Sequence, residues 1–261
     1  MLEQTENLAS AFLDWLLTSA SRNELLADRG VIWHGRLMTA TWLVVIPIAI
    51  LIARFYKVTP RQDWPKVLDN PFWFVWHRRL GWLAMMLTVL AVAAVFRKDA
   101  SISGAHVHHV AGWGVLVVSV FQVVGALFRG THGGPVDPFT RAPRPPEQWP
   151  GDHYSMTRRR IVFEYSHKIA GYLALALTLI AIVTGLSTVD APRWMWIGFM
   201  LLCGLFAIAF LRLQSQDRCR DTYQAIWGVD PALPGNQRAK AVGFGVRRAI
   251  GARSECNGED A

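Results

Sequence analysis

The chain has 261 residues, of which 52% are hydrophobic and 18% charged. Soluble domains carry about 25% charged residues, so this chain is short of charge, and its apolar content excludes a disordered polymer. Three cysteines exclude a disulfide scaffold, and 27 Lys+Arg against 19 Asp+Glu leave a net charge of +8.

The first 29 residues read as an N-terminal segment. MLEQTENLAS is acidic and Asp14 interrupts the next apolar run, so a cleavable leader is not expected. Residues 8–20 have the pattern of a short amphipathic helix, either on a membrane surface or docked on the protein. Charged residues are then absent from 37–53, 80–96, 100–128, 169–189 and 194–211. A stretch of about 17–25 apolar residues spans a bilayer as a helix, and terminal Arg side chains extend the shortest gaps by snorkelling. Five transmembrane helices are predicted, at about 32–54, 75–97, 105–128, 164–187 and 192–213. Trp33, Trp73, Trp76, Trp194 and Trp196 lie near their ends, where an aromatic belt forms. A soluble protein with buried core helices is the alternative, and five such gaps in succession argue against it. The expected organisation is an all-α membrane domain over 30–213, followed by a basic tail over 214–261.

Orientation follows from the basic residues. Six of the 27 (Arg22, Arg29, Arg36, Arg97, Lys98 and Arg193) fall on the side of the N-terminus, and the other 21 fall opposite. The N-terminus is therefore expected outside, the C-terminus in the cytoplasm, and the chain in the cell (inner) membrane. Sidedness accounts for the positive charge, so a nucleic-acid partner is not expected.

Of the eight histidines, six lie at helix ends. Ligand-capable side chains within spans are costly and often functional. HRRLG places Gly81 four residues after His77. HHVAG does the same for Gly112 and His108, and HKIAG for Gly171 and His167. Residues i and i+4 share a helix face. A Gly one turn away leaves room for a porphyrin lying flat beside its imidazole ligand. His109 and His106 have Trp113 and Val110 at that position, and His34 departs from the rule with Met38 there, although Gly35 adjoins it. Small residues at this spacing also serve plain helix packing.

Successive spans alternate in direction. His34 and His108 therefore fall at the outer end, and His77 and His167 at the cytoplasmic end. In a four-helix bundle in sequential order, spans one and three are diagonal, as are two and four, and bundles build cofactor sites across the core. Each pair can ligate one ring, giving two haem b groups. Zinc usually takes three or four protein ligands, so two His per layer suit a bis-axial haem better. Two axial His leave no open position for O₂ and favour electron transfer. The layers are separated by at most about 30 Å, the membrane core.

At these residues the sequence resembles the cytochrome b561 superfamily, in a bacterial-type form most similar to the version fused in plants and animals to an extracellular DOMON domain. HGRLMTATWLVVIPIAILIARF resembles its opening helix and WFVWHRRLGW its second ligand segment. HVHHVAGWGVLVVSVFQVVGALFRG resembles the third, with Gln122 in the expected place, and EYSHKIAGY the fourth. The likeness covers roughly 30–190. It implies a di-haem electron carrier with ligands at His34, His77, His108 and His167, often fed by ascorbate, with monodehydroascorbate or ferric iron on the product side. Family members are often homodimers, but no dimer motif is visible. The sequence departs from the family pattern in three places. Only about 30 residues precede the first helix, the loop 129–163 is long and Pro-rich, and the tail is additional. Donor and acceptor therefore do not carry over.

Arg36, Arg79, Arg158 and Lys168 are candidate contacts for haem propionates or an anionic substrate. The same residues equally set topology and bind anionic lipid. Cys203, Cys219 and Cys256 read as free thiols, and no Cys-x-x-Cys-His attaches a c-type haem. Three functions are carried forward: transmembrane electron transfer between a small reductant (ascorbate-like or quinol) or a redox protein and an acceptor opposite, a haem-bearing anchor passing electrons between a partner dehydrogenase and quinone, and a haem-free transporter with relaying histidines.

Overall fold

The computed structural model describes residues 2–18, 28–96, 105–238 and 240–249, and the expectations for Arg22, Arg97, Lys98, Arg253 and Cys256 lie outside them. Among the described residues the fold is all-helical, with isolated β-bridges only at Val136–Pro143 and Arg220–Arg247. After α1 (Leu2–Leu17) comes α2 (Arg29–Ala40), which continues through a π-helical turn at Thr41–Val45 into α3 (Ile46–Phe55). There follow α4 (Phe72–Val95), α5 (His106–Leu127), α6 (Arg158–Thr188), α7 (Arg193–Ser215) and a short α8 (Thr222–Trp227).

Among the described residues, five helices are long and apolar enough to cross a membrane: Arg29–Phe55, Phe72–Val95, His106–Leu127, Arg158–Thr188 and Arg193–Ser215. They match the five predicted spans to within a few residues, except that α6 begins six residues early. Its first turns are charged, and one carboxylate there serves two of the cations. Glu164 accepts from Arg160 at 3.0 Å and from Lys168 at 3.1 Å, both four residues away on one face. The first span starts at an N-cap, where the Asp28 carboxylate accepts from the Val31 amide at 3.0 Å. Its π-helical turn precedes Pro47, which has no N–H for the Leu43 carbonyl. The turn widens instead, and the Ile46 amide donates to Thr41.

The chain groups into two compact units. The first comprises Met1–Leu51, Trp76–Val120 and Gly171–Arg212. Trp42, Val115 and Ala174 are buried at its centre, with Met38, Ile46, Val118 and Leu177 packed around them. Buried Ala84, Ala91 and Ala111 let backbones approach closely. Large aliphatic residues point outward: Val117, Leu201 and Ile208 are each two-thirds exposed. Such contiguous apolar surface suits lipid rather than water. The α1 residues Phe12, Leu13 and Leu17 are also exposed, while Arg193 donates to the Trp15 carbonyl at 2.7 Å. A helix runs here over Leu2–Leu17, starting earlier than the expected 8–20.

The second unit comprises Ile52–Val75, Phe121–Ala170 and Leu213–Ala261. Its core is Met156, Tyr223 and Val242, against Ile161, Trp227 and Leu233. The long loop and the tail therefore share one core. Asp221 caps α8, and the Tyr223 hydroxyl donates to the Tyr154 carbonyl at 2.8 Å. The tail stretch around Arg247 and Arg248 is pinned by ion pairs to Asp217 and Asp221.

Candidate functional site

Three of the four predicted ligands belong to the first unit, and each imidazole is held the same way. Nδ1 of His34 lies 3.0 Å from the Ala91 carbonyl oxygen, Nδ1 of His77 lies 3.2 Å from that of Ala49, and Nδ1 of His108 lies 2.8 Å from that of Ala181. A carbonyl can only accept, so Nδ1 is the protonated nitrogen and donates in all three. That tautomer leaves the Nε2 lone pair available, the form in which histidine ligates a metal.

The structure brings His34 and His108 together. Their ring centroids are 6.0 Å apart with the planes at 77°. Two metal–imidazole bonds of about 2 Å each, plus the half-widths of two rings, also come to about 6 Å. The separation of the two rings matches that length. A Cβ built on Gly35, Gly81 or Gly112 would meet nothing within 4 Å, so there is open space beside His34, His77 and His108. Buried hydroxyls mark the same neighbourhood. Thr88 and Thr178 are 1% and 3% exposed, and neither hydroxyl has a hydrogen-bond partner. Each stands three residues before the carbonyl that holds His34 or His108. Orphaned buried polar groups are rare and point to a partner outside the protein chain. Among the described residues no cluster of three or more His, Cys, Asp or Glu is arranged for a bare metal ion.

Gly185 is a site residue that the sequence did not reveal. A Cβ there would lie 2.9 Å from His108 Nδ1 and 3.0 Å from Cε1. No spacing rule relates it to His108, because it comes from α6 and meets the ring across a helix interface. The three carbonyl acceptors were equally invisible, since every residue has one.

His167 belongs to the second unit. Its backbone carbonyl accepts from the Gln122 side chain at 3.0 Å, and its ring lies 5.5 Å from Phe163. Gly171 follows it by one turn on α6. Arg36 stands over the Trp33 ring at 5.6 Å and Arg79 over Trp76 at 5.8 Å. Arg158 and Arg159 line a groove of about 650 Å³ together with Phe121, Phe128 and Phe163. Lys168 is engaged, donating to Glu164 and to the Val242 carbonyl at 2.7 Å. Outside the spans, His153 is 3% exposed, and its ring packs against His132, Tyr223 and Trp227. Burial, with Arg160 next in effect, pushes its imidazole well below the usual value of 6.5.

Fold and site together define a multi-pass membrane protein with an opposed imidazole pair among its spans. The chain is 30% identical over 179 residues to a putative ferric-chelate reductase 1 of Xenopus laevis, covering 64% of this chain and 25% of that protein. It is 28% identical over 169 residues to the Drosophila melanogaster putative ferric-chelate reductase 1 homolog, covering 63% and 22%. A cytochrome b561, DM13 and DOMON domain-containing protein of Arabidopsis thaliana is 28% identical over 153 residues, covering 59% and 14%. The chain thus spans a quarter or less of the length of these relatives. No family model and no solved structure matches it. The relatives support the cytochrome b561 superfamily and an electron-transport oxidoreductase class, and they imply haem as the cofactor.

Proposed function

We propose that the chain is a di-haem b-type cytochrome that moves single electrons across a membrane. The observation that carries this reading is the opposed His34–His108 pair, 6.0 Å apart, with both Nδ1 atoms tied to backbone carbonyls. His34 and His108 hold one haem, and His77 and His167 hold the other. Haem supplies reversible one-electron exchange when bound. The Ala91 and Ala181 carbonyls keep each imidazole in its ligating tautomer and fix its ring orientation. Gly81, Gly112 and Gly171 keep side chains out of the porphyrin plane. Arg36, Arg79, Arg158 and Lys168 meet propionates or an anionic donor. The N-terminus faces outward and the basic tail lies in the cytoplasm of a cell whose inner membrane holds the chain. The donor is a small reductant of ascorbate or quinol type, and the acceptor is a ferric chelate, the class of substrate in the names of its relatives.

The test is a reduced-minus-oxidised spectrum of the purified protein, followed by a redox titration. Two b-type centres are expected. His34→Ala should remove one and His167→Ala the other. A spectrum without b-type α bands, or His34→Ala retaining both centres, overturns the reading. Vesicles with ascorbate inside and ferricyanide outside then test transfer without a partner. Failure with ascorbate but success with quinol moves the assignment to an anchor subunit.

A further inference from the structure

The tail carries the sequence Val242-Gly243-Phe244-Gly245-Val246. Gly243 has φ +115° and Gly245 has φ +61°, conformations that side chains resist. The alternation turns successive carbonyls toward three side chains of the second unit. The Val242 carbonyl accepts from Lys168 Nζ at 2.7 Å, the Phe244 carbonyl from Arg54 Nη2 at 2.8 Å, and the Gly245 carbonyl from Gln214 Nε2 at 2.9 Å. Arg54 also donates to Gln214 Oε1 at 2.9 Å, so two of the three donors are linked to each other.

The backbone lies very close to them. A Cβ on Gly243 would sit 3.2 Å from Lys168 Cδ, and one on Gly245 would sit 3.3 Å from Arg54 Nη2. Both ends of the segment are anchored. Val242 is buried against Met156 and Tyr223. At the other end, the Arg247 amide donates to the Cys219 carbonyl at 2.9 Å, and the Ala249 amide donates to the Gln224 side chain at 2.8 Å. Between the anchors Phe244 projects, 63% exposed.

Neutral carbonyls are modest partners for cations, and oxyanions form hydrogen bonds roughly twice as strong. Lys168 shares one carboxylate, Glu164, with Arg160, while Arg54 is held by Gln214 and the Phe244 carbonyl. The Val242, Phe244 and Gly245 carbonyls fall within three residues of one another, at most about 11 Å. Lys168 directly follows His167, so whatever the cations hold lies beside a proposed haem ligand.

We propose that Val242–Gly245 is an autoinhibitory strap whose carbonyls compete with a small oxyanionic electron donor for Arg54, Lys168 and Gln214. The donor displaces the strap and takes over its three hydrogen-bonding positions. This rests on the electron-transfer reading for its purpose but not for its detection.

The test uses the full-length protein in neutral phosphatidylcholine nanodiscs. In haem-free and haem-loaded protein alike, millimolar ascorbate, or redox-inert inorganic phosphate, should speed hydrogen exchange at the Arg247 and Ala249 amides, whose hydrogen bonds anchor the strap. Lys168→Gln should abolish that response. Gly243→Val with Gly245→Val strains the strap by placing side chains at positive φ. It should raise the rate of haem reduction by ascorbate about tenfold and leave reduction by neutral duroquinol unchanged. Exchange that ignores both anions overturns the strap, even if the double variant does not fold. So does a double variant with a wild-type spectrum and an unchanged ascorbate rate. Absence of any b-type spectrum with an intact exchange response defeats the electron-transfer reading and leaves the strap standing.

Discussion

The two units solve the problem of holding polar groups in different ways. In the first, His34, His77 and His108 each take one backbone carbonyl as partner, and no charged side chain takes part in those hydrogen bonds. In the second, Glu164 is shared by Arg160 and Lys168, Asp221 pairs with Arg248, and Lys57 is buried with its ammonium on the Arg220 carbonyl at 3.1 Å. Charge is too costly among apolar spans, and a carbonyl already present in the helix supplies an acceptor without adding a charge. The ionic unit can hold sequence that lacks any apolar periodicity, such as the Pro-rich loop and the tail. The contrast suggests that ligand orientation is robust to pH and salt, whereas the second unit is sensitive to both.

The largest expected effect tests the carbonyl-held site. His108→Ala should abolish one of two redox centres outright, read in a potentiometric titration, while the second unit keeps its protease resistance. Loss of both centres would mean that the two sites are not independent. Gly185→Val comes next. Its side chain displaces His108 from the Ala181 carbonyl, and losing such an orienting partner weakens metal affinity about 10–100-fold, measured by haem titration of apoprotein. An unchanged affinity would show that the carbonyl contact is incidental.

In the ionic unit, Glu164→Gln leaves two cations without their shared carboxylate. Breaking a buried pair costs about 3–5 kcal/mol, visible as earlier thermal unfolding by limited proteolysis. A loss below 1 kcal/mol, the worth of exposed pairs, would mean that water reaches the network. A smaller, pH-dependent effect comes from His153. Its native pKa is depressed far below the 6.5 of the unfolded chain. Below pH 6.5 the unfolded state therefore binds more protons, and stability falls as pH drops toward the native value, with no change above 6.5. His153→Phe should flatten that acid limb. The smallest effect belongs to Gly114→Ala. Its new methyl would sit 3.1 Å from a flexible Leu177 methyl, and the predicted change is under about 1 kcal/mol in either direction.

Much of this protein could be read along the chain. Charge gaps located all five spans because a lipid-facing helix tolerates no unpaired charge over its length, a local property of some 20 residues. The start of α6 was missed because Arg158, Arg159 and Arg160 look like loop charge in sequence, whereas Arg160 pairs with Glu164 one turn further on. His34 and His108 were paired by counting crossings, and their rings lie 6.0 Å apart in the structure. A helix near the start of the chain was legible from its pattern of Phe, Leu and Trp.

What the sequence by itself determined was therefore everything with a period or a run: the number of spans, the histidines at their ends and the glycines one turn on. Only the tertiary structure decided which carbonyl holds each imidazole, that Gly185 must lack a side chain, and that the Val242–Gly245 carbonyls sit on Arg54, Lys168 and Gln214. The reason is physical. Every residue carries the same backbone acceptor, so its use is set by packing between distant segments and leaves no mark in composition or spacing.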